Sequence, residues 1–223
     1  MLYKEIYIVA GGPSLAGFDF SKLANKTVMV VNKSIVDIPK ANIFITMDYT
    51  FIDYIDRKTD NKLTRASFKR LPCIKYFVVA TNNQYIRLVN GNYVDIRSNY
   101  QYILKDFNQV IASNSAYGIG GNFYQFVHGC NSGYCAIQLA LILGYKKIHL
   151  LGFDLQIDTE THYHHGYKQN KLQFEKKLDM YYNYYVVGLH NIKLKFPNVK
   201  MISYSKEGRL NKFIEYKPLG EIK

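Results

Sequence analysis

With 223 residues the chain is long enough for one sizeable hydrophobic core and short for several domains. Apolar residues make up 48% and charged residues 21%, and no apolar run approaches bilayer length, which excludes the disordered and membrane-spanning classes. The net charge of +12, from 29 Lys and Arg against 17 Asp and Glu, favours anionic partners: nucleotides, nucleic acid or an acidic membrane face. The basic residues are scattered rather than blocked, so a general bias toward Lys, Asn, Ile and Tyr explains the excess equally well.

The opening "MLYKEIYIVA" carries Lys4 and Glu5 inside its apolar stretch and no small-residue cleavage site, which argues against a secretory signal. Four near-continuous apolar runs then read as buried strands: "EIYIVA" (5–10), "TVMVVN" (27–32), "NIFITMD" (42–48) and "CIKYFVVA" (73–80). The first stops at "AGGPSL", two glycines followed by Pro13 and Ser14. Such a turn either closes tightly or lets something approach the backbone.

Residues 81 to 131 are rich in Asn, Gly, Ser and Tyr with weak periodicity. So long a structureless loop is improbable in a compact domain, and short elements with a flap over the sheet edge are expected. "SGYCAIQLALILG" (132–144) reads as a helix with a capping serine and a terminal glycine. A strand, "KKIHLLGFD" (146–154), and a long helix over 167–197 follow, the latter with a dense tyrosine cluster, "MYYNYYVVGLH". The strand "VKMISYS" (199–205) and a short final helix over 205–216 complete the chain. Strand–helix alternation with doubly covered strands predicts one α/β domain over residues 1–223, a Rossmann-like, mainly parallel sheet with helices on both faces.

In such sheets ligands bind beyond the carboxyl ends of the strands, and free N–H groups of a glycine turn or a helix N-terminus suit phosphate. Gly11, Gly12 and Ser14 fall at one strand end, Asn32 and Asp48 at the next two, and Asp154 at the fifth. Asn131, Ser132 and Gly133 open the clearest helix. A nucleotide pocket accounts for all of them together; an Asx turn or a cap accounts for any one. Asp48 would face ribose or base, because a carboxylate beside phosphates repels them. "THYHHG" (161–166) places His162, His164 and His165 after the Asp154 strand, with spacing too tight for helical metal ligands. A neutral imidazole there could take a proton from an attacking hydroxyl. The three cysteines, Cys73, Cys130 and Cys135, have no metal-ligand spacing and read as reduced thiols of a cytoplasmic protein.

The ordered segments "AGGPSL", "VVNKS", "SGYCAIQLALILGYKKIHLLGFDL", "THYHHG" and "GRLNKFIE" resemble the bacterial sialyltransferases that decorate Campylobacter lipooligosaccharide. Within a wider group, the resemblance extends to pterin pyrophosphokinase-like and phage proteins. It implies a modified GT-A fold and a metal-independent glycosyltransferase with no cofactor beyond its nucleotide-sugar donor. Gly11, Gly12, Ser14, Asn32, Asn131, Ser132 and Gly133 would then border the nucleotide. A histidine of the 161–166 loop, His165 before His162, would be the general base, with Tyr163 among the catalytic candidates and tyrosines binding the departing phosphate. The family's leaving-group tyrosine aligns with Gln156. A glycan or other hydroxyl would be the acceptor, and a homo-oligomer is compatible with this reading. Two alternatives stand beside it: a phage-type enzyme glycosylating a DNA base, and a Mg²⁺-dependent pyrophosphokinase using Asp48 and Asp154.

Overall fold

The apolar runs become strands because their side chains find cover on both faces. In the computed structural model, which describes residues 4–56, 63–80, 86–89, 92–95, 101–113, 117–156 and 171–222, these are β1 (Glu5–Val9), β2 (Val28–Val31), β3 (Ile43–Thr46), β4 (Ile74–Ala80), β8 (Lys147–Leu151) and β9 (Lys200–Ser203). Every residue of β2 and β3, and all but the first of β1 and β8, is buried. Successive strand residues point to opposite faces, so burial of all of them means that both faces are covered.

With β7 (Asn108–Ala112) and β10 (Glu215–Tyr216), the main sheet has eight strands in the order β10-β9-β8-β1-β2-β3-β4-β7, and every pairing is parallel. These two members were not expected. β7 forms one edge, and β10 forms the other. β7 lies inside the stretch read as loop and flap; it buries only Val110 and Ala112, so its sequence lacks the continuous apolar signal of the central strands. The final helix expected over 205–216 is instead a 3-10 turn, Arg209–Lys212, leading into β10. Phe213 N donates to Leu210 O in the tighter i+3 pattern, and Glu215 and Tyr216 pair with β9 rather than continuing a coil.

Of the remaining elements, those flanking β4 and β7 are short. α1 (Tyr49–Asp56) and α2 (Arg65–Arg70) join β3 to β4, the second closed by a Thr64–Ser67 capping box. β5 (Ile86–Val89) and β6 (Asn92–Asp95) pair as a separate antiparallel hairpin, and α3 (Gln101–Leu104) precedes β7. α4 (Ser132–Ile142) and α5 (Lys171–Lys195) occupy the positions expected. α4 buries ten consecutive residues, Ser132 to Leu141, and contacts β1, β2 and β3. No helix among the described residues is long and apolar enough to cross a membrane.

A buried polar group lies across β1, β8 and the residue after β9. The His149 ring stacks on Tyr7 with centroids 4.0 Å apart, its Nε2 lies 3.3 Å from Glu5 Oε2 and its Nδ1 lies 3.0 Å from Tyr204 Oη. A carboxylate only accepts, so Nε2 carries the proton and the Tyr204 hydroxyl donates to Nδ1. Burial pushes the imidazole down to about 4, although Glu5 pulls the other way; Lys147, bonded to the same Glu5 oxygen, and Lys26 near Tyr7 add to the depression. The Glu5 contact is therefore a hydrogen bond from a neutral ring.

Unfolded, His149 takes its proton near pH 6.5; folded, it does so only near about 4. Between these values the unfolded chain binds more protons, so stability is full above pH 6.5 and falls as pH drops, by on the order of 3 kcal/mol at most. Urea denaturation across this window should show a falling midpoint, and a His149→Gln variant, weaker overall, should show a flatter slope. Equal slopes in the two proteins would rule the assignment out.

Candidate functional site

The strand order reverses at β1 and β8: from β1 the chain moves to β2 on one side, and from β8 to β9 on the other. Their carboxyl ends therefore diverge into a crevice, the usual ligand position in an open parallel sheet. The turn after β1 is fastened to the turn after β8, with Ala10 N donating to Leu151 O at 2.9 Å and Gly12 N to Gly152 O at 3.0 Å. Gly12 has φ −65°, open to any residue, so its backbone conformation does not demand glycine. Space does. A Cβ there would lie 1.7 Å from Asp154 Oδ2 and 2.5 Å from Gly152 O. The close approach at this bare turn is made by the protein's own carboxylate.

Asp154 is buried and its Oδ2 accepts from Ser14 Oγ at 3.0 Å, with a longer contact from Ser14 N at 3.4 Å. Ser14 Oγ also lies 3.1 Å from Ser205 Oγ, which ties the turn to the end of β9. Burial raises the carboxyl above the ordinary aspartate value while the Ser14 bonds oppose the rise.

A cavity of about 120 Å³ opens at the crevice, bounded by Ala10–Pro13 after β1, Val31 and Asn32 at the end of β2, Asn131–Gly133 at the start of α4, and Gly152–Gln156 after β8. Phe174, Leu178, Tyr181 and Tyr185 of α5 close it. A second chamber of about 360 Å³ adjoins it, sharing Pro13, Asp154 and Gln156 and reaching Ser14, Tyr204, Lys206 and Tyr216. Among the described residues, the non-glycine residues with left-handed φ are Asn32 (52°), Cys130 (52°) and Leu155 (53°). Two line the cavity and the third adjoins it, in the pattern of strain kept at a working site. The Cys130 turn is held by its own N–H donating to His128 Nδ1 at 2.9 Å.

The cavity wall offers several donors beside the Asp154 carboxylate. Asn131, not Ser132, caps α4: its Oδ1 accepts from Tyr134 N at 3.1 Å. Ser132 Oγ accepts instead from Met47 N at 3.1 Å, fixing the helix start to the end of β3. The N–H groups of Ser132 and Gly133 have no acceptor among the described residues, and they stand at the positive end of the helix dipole. Asn32 Oδ1 accepts from Thr46 Oγ1 at 2.6 Å, which turns its NH₂ away from Thr46. Tyr181, pushed up to about 12 by burial, keeps its proton at neutral pH and makes no hydrogen bond to another described residue.

Of the residues anticipated for a nucleotide, Gly11, Gly12, Asn32, Asn131, Ser132, Gly133 and Asp154 line the first chamber, and Ser14 lines the second. Asp48 borders neither. Its Oδ1 accepts from Thr50 N at 2.9 Å and Thr50 Oγ1 at 2.7 Å, the Asx-turn alternative at the start of α1. His162, Tyr163 and His165 lie outside the described residues. The α5 residues were not anticipated as cavity lining. The tyrosine cluster was the only signal for Tyr181 and Tyr185, and Phe174 and Leu178 look like any helix stripe. Among the described residues, no group of three or more His, Cys, Asp or Glu is placed to hold a metal.

No family model and no curated protein matches the chain. Solved structures do. The sialyltransferase CstII from Campylobacter jejuni in complex with cytidine-5'-monophosphate superposes with a TM-score of 0.52 at 17% identity, over 97% of this chain and 86% of that one. Its complex with the substrate analogue CMP-3FNeuAc gives 0.51, over 96% and 86%. The monofunctional alpha-2,3-sialyltransferase Cst-I from Campylobacter jejuni gives 0.54 at 12% identity, over 97% and 81%. At such identities the likeness is one of fold, and it extends over nearly the whole chain.

Proposed function

We propose that the protein is a glycosyltransferase that binds a nucleotide-sugar donor in the crevice between β1 and β8 and transfers the sugar to an acceptor hydroxyl. The observation that carries the reading is the donor-rich cavity at the topological switch point. Ser132 N–H, Gly133 N–H, the Asn32 amide and the Tyr181 phenol border one small space, where an anion gains hydrogen bonds and the helix dipole without displacing internal ones. The same groups would stabilise the phosphate that departs as the glycosidic bond breaks. Asp154 lines both chambers with its Oδ2 engaged by Ser14, and the adjoining chamber supplies room for the remainder of a nucleotide.

The Campylobacter structures support this reading, since proteins of the same fold are described there with CMP and a CMP-sugar analogue. The transfer itself needs a base for the acceptor hydroxyl, a task a neutral imidazole suits, and His165, with His162 second, is assigned it because it stands nearest in position to the base of the sialyltransferases the sequence resembles. The reaction is proposed to run without a metal.

A thermal-shift screen with CMP, UDP, GDP and their sugar conjugates tests the reading. A ligand that binds only the folded chain stabilises it by about 2.7 kcal/mol at a hundredfold excess over Kd, so the melting temperature should climb with concentration for at least one nucleotide. Should every nucleotide leave it unmoved, the donor site is wrong.

A further inference from the structure

The Asn131 side chain does more than cap α4. Its Oδ1 accepts from Tyr134 N at 3.1 Å and, from a different helix, from the Tyr185 hydroxyl at 2.8 Å. A carboxamide whose oxygen takes two donors has one orientation open to it, with its NH₂ on the opposite side. Asn131 lines the cavity, and that NH₂ has no acceptor among the described residues. Turning the amide over would set the NH₂ against the Tyr134 N–H, which cannot accept.

Tyr185 is locked in turn. Its side chain is fully buried, its ring meets Tyr134 edge-on at 5.4 Å and Phe153 at 6.2 Å, and burial holds the phenol well above its ordinary value, so it remains a donor. Its hydroxyl also occupies the space a Cβ at Gly133 would need, 2.7 Å away. One helical turn further along, Tyr134 fills the space above Gly188, where a Cβ would stand 2.5 Å from its oxygen. A glycine inside a 25-residue helix is disfavoured relative to alanine, and this contact is the reason for it. α4 and α5 are thus keyed together at the cavity wall.

We infer that Tyr185 is a positioning residue that, through Asn131, directs an amide donor into the cavity and so makes the site select for the phosphate of its ligand. The inference rests on the nucleotide reading above and deepens it. Asn32 is set by the same logic through Thr46, so two carboxamides, each tethered by its oxygen, present nitrogen to one space. Loss of the Tyr185 hydroxyl leaves the cap from Tyr134 N in place but lets the amide tilt about that single bond, so its NH₂ no longer holds one direction. The helix start survives while the donor is aimed less sharply.

The test is the ratio of monophosphate to nucleoside affinity, measured by calorimetry with CMP against cytidine and UMP against uridine, in the wild type, Tyr185→Phe and Asn131→Asp. A hydrogen bond to a charged group is worth roughly tenfold in affinity, so the wild type should prefer a monophosphate by at least that factor. In Tyr185→Phe the preference should fall by about threefold or more with nucleoside affinity unchanged, because the donor is misdirected for part of the time. Asn131→Asp keeps both bonds to Oδ1 and the cap but replaces the NH₂ with a carboxylate oxygen, and should abolish the preference. If Tyr185→Phe weakens both ligands equally, or leaves the ratio intact, the positioning role is wrong and the nucleotide site stands. If the wild type binds neither monophosphate, this inference falls, and the wider nucleotide screen above decides the reading it rests on.

Discussion

Replacing Gly12 by alanine is expected to be among the most damaging single changes in this protein. The added methyl would sit 1.7 Å from Asp154 Oδ2 and 2.5 Å from the Gly152 carbonyl, well inside contact distance. The carboxylate cannot swing aside without losing Ser14, and the carbonyl is backbone held by Gly12 N. Gly152 has φ +72° and would itself clash with Ala10 O if it carried a Cβ, so the second turn has no slack either. Overpacking at such a point costs about 3 kcal/mol. The two strand ends that form the crevice would also part, and the nucleotide response should vanish. Gly121→Ala is the control. A Cβ there meets nothing within 4 Å, and the change should stay within about 0.5 kcal/mol. Urea midpoints of the two variants decide the matter: similar values would show that the Asp154 contact does not constrain the turn.

His165→Ala is expected to lower transfer by about two to four orders of magnitude while nucleotide affinity holds. An acceptor hydroxyl is a poor nucleophile until its proton leaves, and a neutral imidazole near its ordinary pKa accepts that proton at physiological pH. The chain lines the cavity at Gln156 before the histidine stretch and again at Phe174 after it. His162→Ala should have the smaller effect and His164→Ala the smallest. The wild-type rate should fall on the acid side as the base protonates. Near-normal transfer in all three variants would remove histidine from the mechanism.

Much of the fold was legible because burial on both faces leaves a plain mark on a sequence. β1, β2, β3, β4, β8 and β9 are runs of apolar residues, since a parallel strand under helices has no solvent face to alternate toward. α4 was equally plain, with helix formers bounded by Asn131-Ser132 and Gly144. The edges were not. β7 is half exposed and β10 is two residues long, and each is a strand only because a neighbour offers hydrogen bonds. The final segment carries the composition of a short helix, but pairing with β9 outweighs a single helical turn.

For the site, the chain order of strand ends was enough to gather Gly11, Gly12, Asn32, Asn131, Ser132, Gly133 and Asp154 at one crevice. That follows from topology, because parallel strands bring their carboxyl ends to the same edge. The sequence by itself could not say which way each polar group faces. Asp48 turns to Thr50, Ser14 to Asp154, and Asn131 rather than Ser132 takes the cap. Nor could it bring Tyr181 and Tyr185, some fifty residues further along, to the cavity beside Asn131. Local pattern determined the strands, the long helices and the positions of the turns, for these depend on neighbours in sequence. The partners of each hydrogen-bonding group, and with them the donor character of the cavity, were decided only in tertiary structure, where distant segments meet and each buried oxygen must find a proton.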